Sequence, residues 1–187
     1  EHLPESLIII ENILKAGNDI LIVTKPHYEC VKQICTKFSK YKSQILFRFT
    51  IGSANSETLK FWESGAPSFE ERLKSLKYAY NNGFKTSISC EPLLDTNVDK
   101  LIEKTILYVT DSIWIGKANA LIQRMKTNGI TDKASLEIAH KLVDWQKNDE
   151  NINALYNKYK SNKKIKWKES IKKVVKIEIP KKKGLDI

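Results

Sequence analysis

The stretches ILIVTKP (20–26), ILFRFTIGS (45–53) and TSISCEP (86–92) decide the fold of this chain. Each is a short apolar run rich in β-branched residues whose last positions turn polar, and helical sequence lies between them. Strands alternating with helices build a parallel sheet in which each crossover is right-handed. Lys25, Ser53 and Glu91 then stand in a row at the carboxyl ends of successive strands, the edge at which α/β sheets bind ligands. These residues point to a site before they point to a chemistry.

The intervening segments carry helical periodicity. Val31, Ile34, Cys35 and Phe38 recur at i, i+3, i+4 and i+7, which predicts a helix from about Tyr28 to Tyr41. Ser68 followed by Glu71 forms a capping box that opens a second helix, with Leu73, Leu76, Ala79 and Tyr80 on its apolar face and Gly83 closing it. Between strand and helix, SANSETLKFWESGAPS (53–68) is expected to be an enlarged loop on the ligand side. Thr96 with Asp99 opens a further helix that turns Val98, Leu101, Ile102, Thr105 and Ile106 inward, and SIWIG (112–116) predicts a fourth strand.

Four strands are too few to close a barrel. LIIIENILK (7–15) resembles the apolar half of a helix arriving from upstream, the first residue is Glu1 and the only methionine is Met125. The expectation is therefore a C-terminal portion of a longer α/β protein. From Leu121 the pattern changes to helices, at Thr131 to Asn148 and at Ile152 to Lys160, followed by a lysine-rich stretch. The chain divides into an α/β part, 1–120, and a helical, basic extension, 121–187, packed on it. The extension holds too few large apolar residues for a core of its own.

Length and composition allow one ordinary domain, with 41% apolar and 29% charged residues in 187. No run reaches the ~18 apolar residues of a membrane span and no signal-peptide pattern is present, so a cytoplasmic protein with no membrane partner is expected. Cys30, Cys35 and Cys90 are too few and too unevenly placed for a disulfide framework. The net charge of +10 is concentrated in the extension, where 17 basic residues face 8 acidic ones, against 15 and 14 in residues 1–120. Such an excess attracts phosphates or acidic partners, or else solvates a helix surface. Trp167, Ile171 and Val175, spaced four apart, predict one apolar helix face; the alternative for Trp167 is stacking on a base of a bound nucleic acid.

Phosphate-loop, dinucleotide and zinc-protease motifs are absent, and His2, His27 and His140 have no carboxylate or cysteine at ligand spacing. Ser89-Cys90-Glu91 has no base nearby. Lys25 follows four apolar strand residues and is pinned by Pro26, so its ammonium either faces the sheet mouth, where it suits a carboxylate or phosphate, or snorkels on the rim. Arg48 alternates with Phe47 and Phe49 and so points into the cleft on the opposite face. A buried arginine needs a partner, and Glu91 on the next strand is the candidate.

LIVTKP, FRFTIGS, FWESGAPSFEERL and the strand ending CEP, in this order, resemble the second half of radical S-adenosylmethionine proteins of the spore photoproduct lyase family. The resemblance runs from about Leu21 to Leu94; WIGK (114–117) and IKWKESIK (165–172) resemble segments of other relatives in that group. It implies a partial (β/α)6, TIM-like barrel with a [4Fe–4S] cluster and S-adenosyl-L-methionine at the carboxyl ends of the strands. By resemblance, Lys25 matches the lysine that binds the cofactor carboxylate and Ser53 a serine that shares this task. Gly52 stands where the lyase has asparagine, and Glu91 at a position lining the adenosine end. With Arg48 in the cleft these make up the expected cofactor side. Ser64 replaces the proline of the family's usual aromatic-Glu-Pro-Gly turn.

The family's CxxxCxxC triplet, whose thiolates hold the cluster, does not occur in these residues. The implied function is the C-terminal half of a radical enzyme whose cluster ligands lie in preceding sequence, with nucleic acid as the substrate class suggested by the lyase resemblance and the basic extension. The alternative is a non-catalytic protein that binds nucleic acid or another partner on a truncated α/β scaffold.

Overall fold

Alternation along a strand sends successive side chains to opposite faces of a sheet, and here the two faces meet different fates. The computed structural model describes residues 2–179. β1 (Ile20–Thr24), β2 (Ile45–Thr50), β3 (Lys85–Cys90), β4 (Ile113–Ile115) and β5 (Ile165–Trp167) form a single sheet, all parallel, in spatial order identical to chain order. The register sets Phe49 beside Ile88, Ile88 beside Ile113 and Ile113 beside Ile165. These residues lie in one buried row, joined by Phe47 and Ile115.

That row packs under helices. α1 (Leu3–Lys15) contributes Ile10 and Leu14, α2 (Tyr28–Lys37) contributes Val31, Ile34 and Cys35, and α4 (Phe69–Asn81) contributes Phe69, Leu76 and Ala79. α5 (Val98–Thr105), α8 (Asp149–Tyr159) and α9 (Glu169–Val175) complete the layer with Leu101, Ile152 and Ile171. The opposite face keeps Leu21 46% and Val23 57% exposed on β1. The sheet is not closed, and β1 and β5 are its two edges.

The caps explain where the helices begin. Ser68 accepts from the Glu71 N–H as expected, but the Glu71 carboxylate turns away to accept from the Tyr28 N–H at 3.0 Å, so it ties α4 to α2 instead of closing the box. At the far end Gly83, with φ +78°, donates to the Tyr80 carbonyl while Phe84 donates to Ala79, the paired bonds of a Schellman motif. Asn97, not Thr96, caps α5 by accepting from the Lys100 N–H. The helix expected to reach Tyr41 ends at Lys37 and continues as a 3-10 segment, Ser39–Gln44.

Two elements depart from the sequence expectation. The loop after β2 contains a short helix, α3 (Ser56–Trp62), whose first N–H groups bond the Asn55 side chain. Trp167 lies in β5, not on a helix face: it pairs with Ile115 of β4 and its ring meets Tyr156 edge-on at 5.4 Å. The extension, with α6 (Leu121–Thr127), α7 (Lys133–Lys147), α8 and α9, thus returns to the sheet and supplies its fifth strand. Residues 180–183 of the lysine-rich stretch lie outside the described residues. Among the described residues, no helix is long and apolar enough to cross a membrane.

Candidate functional site

Because all five strands run the same way, their carboxyl ends share one edge, and the segments leaving that edge carry two groups of charged side chains. The first is built around Lys25. Its Nζ lies 3.0 Å from Glu63 Oε1, and the other oxygen of Glu63 lies 2.7 Å from Arg72 Nη2. Arg72 is fully buried, its Nε donating to the Pro67 carbonyl at 2.8 Å and its Nη1 to the Thr50 carbonyl at 3.0 Å. Two cations therefore share one carboxylate. The excess positive charge is presented by Lys25, whose side chain is 44% exposed, while that of Glu63 is only 7% exposed.

Ser53 and Gly52 serve the scaffold. The Ser53 hydroxyl is buried, donates to Asp95 Oδ2 at 2.7 Å and accepts from the Asn55 N–H at 2.9 Å, so its proton is already committed. A Cβ at Gly52 would stand 2.7 Å from the Pro92 carbonyl and 2.9 Å from the Leu94 side chain. Glycine is needed there because the segment after β3 crosses directly over it, and the Gly52 carbonyl accepts from the Leu94 N–H at 2.9 Å.

The second group surrounds Glu91. Its carboxylate is 3.6 Å from Lys168 Nζ and sits over Gly116, where a Cβ would come within 2.6 Å of Oε1. The ends of β3, β4 and β5 meet at this point. Gln146 holds the neighbouring segments, donating to the Leu93 carbonyl at 2.8 Å and accepting from the Ala118 N–H at 2.7 Å. The Lys117 N–H donates to Ser170 Oγ at 2.9 Å.

Arg48 does not join Glu91. Its Nε donates to Ser87 Oγ at 3.2 Å, its guanidinium lies 3.9 Å from Asp111 Oδ2, and its carbon centre stands 5.4 Å from the Trp114 ring. Register explains the correction: Arg48 stands beside Ser87, and Glu91 is four residues further along, roughly 13 Å at the rise of a strand. Arg48 thus faces the amino half of the sheet, away from the carboxyl edge.

Cys35 and Cys90 are buried free thiols and Cys30 is half-buried. Burial pushes the Cys35 thiol up to about 12, and burial, followed by the charges of Asp95 and Glu91, raises that of Cys90 further. Among the described residues no group of three His, Cys, Asp or Glu converges as a metal site. Trp167 is 6% exposed and occupied by its packing, so it offers no face for a base to stack on. Nothing in the sequence singles out Glu63, Arg72, Asp95 and Asp111, and Lys168 stands there only among the lysines of the basic extension, because each acquires its role through a partner elsewhere in the chain. No protein-family model, curated protein or solved structure matches this chain.

Proposed function

We propose that this chain is the C-terminal part of a radical S-adenosylmethionine enzyme of the spore photoproduct lyase type, and that Lys25 binds the amino-acid carboxylate of the cofactor at the carboxyl edge of the sheet. The observation that carries this is the uneven trio of Lys25, Arg72 and Glu63: the buried guanidinium claims the carboxylate, which leaves the exposed ammonium able to turn to an incoming anion. Strand order supports a barrel segment, since five parallel strands follow one another without the reversal of a doubly wound sheet.

When bound, the cofactor and its cluster would supply a 5′-deoxyadenosyl radical for hydrogen abstraction. Because Cys30, Cys35 and Cys90 do not converge, the proposal places cluster ligation in sequence outside these 187 residues. The residues of this chain bind and orient. Lys25 provides the charge, while Ser53, through Asp95, holds the segment after β2 against that after β3.

Cofactor titrations of the full translated reading frame, with its cluster assembled, test the assignment. A charge-assisted contact outweighs a neutral one, so Lys25→Ala should weaken S-adenosylmethionine binding by roughly tenfold or more and Ser53→Ala by less. Equal or reversed losses with the cluster intact in both variants would remove Lys25 from this role.

A further inference from the structure

The carboxyl edge carries a groove that none of the expected residues lines. α3 leaves the end of β2 and α6 leaves the end of β4, and between α3, α6 and the start of α7 lies a cavity of about 510 Å3. Its volume is in the range of small-molecule sites. Phe61, Leu121, Met125 and Ile130 form its apolar wall, with Lys60 and Arg124 at its rim.

Three features separate this groove from ordinary surface. Phe61 is 38% exposed and Ile130 41% exposed, so two large apolar side chains that line one concavity both reach water. The Phe61 ring is braced edge-on against Trp62 at 4.7 Å, which keeps it from folding away. Lys60 and Arg124 form no ion pair or side-chain hydrogen bond among the described residues. The one carboxylate on the wall, Asp132, is occupied in capping α7, where it accepts from the Ser135 N–H at 2.8 Å. The groove thus joins an exposed aromatic face to two cations set against the single carboxylate of Asp132, a net positive charge.

We infer that this groove binds a planar aromatic ring bearing an anionic group, the ring against Phe61 and Ile130 and the anion held by Arg124 and Lys60. Stacking on an aromatic face beside cations is how proteins hold nucleotides and other aromatic anions. The groove adjoins Glu63, the partner of Lys25, along the chain. Its assignment as the substrate subsite of the proposed enzyme rests on the carboxyl edge being the reacting face; binding of the aromatic anion does not.

Calorimetric titration of the 187-residue chain with uridine monophosphate, phenyl phosphate, uridine and inorganic phosphate tests this without cluster or cofactor. Its outcome is therefore separate from that of the cofactor proposal, and none of the probes carries adenine. The two ring-bearing phosphates are expected to bind, with uridine and inorganic phosphate each roughly tenfold weaker or more. Tighter binding of uridine monophosphate than of phenyl phosphate marks a nucleotide subsite, and the reverse marks a simple aromatic anion. Phe61→Leu keeps the apolar wall but removes the ring, and Arg124→Gln keeps a polar, hydrogen-bonding side chain but removes the charge; each should weaken binding roughly tenfold in protein with an unchanged circular dichroism spectrum. Absence of binding by both ring-bearing phosphates, or affinity unmoved by both substitutions, overturns the inference.

Discussion

Glu63 is the residue on which the carboxyl edge turns. It answers a guanidinium that has no access to solvent and an ammonium that has plenty, and the two contacts have different worth. Breaking a buried pair strands a charge and costs about 3–5 kcal/mol, whereas an exposed pair contributes about 1 kcal/mol or less. Glu63→Gln should therefore lower the urea-unfolding stability by several times the loss caused by Lys25→Ala. Similar losses in the two variants would mean that Arg72 does not depend on this carboxylate. The position of Lys25 could be read from ILIVTKP, because an apolar strand closed by Lys-Pro puts the lysine at the strand end. Glu63 could not, since nothing in FWESG announces burial against an arginine nine positions later. The strand end that carries Ser53 and Gly52 is legible in FRFTIGS, but their neighbours there, Asp95 and Leu94, come from a segment some forty residues on and are not.

Strong periodicity made β1, β2, β3, α2 and α4 visible in advance, whereas α3 and β5 are too short to display any. Trp167, Ile171 and Val175 are spaced as on a helix, yet the backbone changes from strand to helix between the first and the second. The alternation Ile165-Lys166-Trp167 was hidden among lysines whose side chains need only reach water. The return of the extension to the sheet is reinforced by Asp99 of α5, which accepts from Lys158 and Tyr159 of α8. The hydrogen bond from Lys158, then that from Tyr159, holds the Asp99 carboxyl below its ordinary value, against a smaller opposing effect of burial. A carboxyl depressed on folding stabilises the native state fully above its unfolded value of about 4 and loses that contribution as pH falls through the lower folded value. The stability gap between wild type and Asp99→Asn should thus be constant from neutrality to about pH 4 and close below it. A gap that persists at lower pH, or that closes as pH rises, would contradict this pairing.

Across the molecule, one face of the parallel sheet is fully roofed by helices while the other leaves Leu21 and Val23 in water beside the open edge of β1. Parallel sheets occur almost only with both faces covered, and an open apolar edge invites further pairing. The proposed barrel segment would have this form, with β1 at an open edge of the sheet. The count of alternating strands and helices foretold an unclosed sheet, although it stopped at four because β5 carries no recognisable run. Iron–sulfur reconstitution, read by absorbance, iron content and electron paramagnetic resonance, bears most directly on the proposed identity. The full translated reading frame should assemble a [4Fe–4S] cluster whose signal changes on adding S-adenosylmethionine, while residues 1–187 alone stay colourless. A longer product that takes up no cluster, or stoichiometric uptake by these residues alone that is lost on Cys30→Ser, would contradict it.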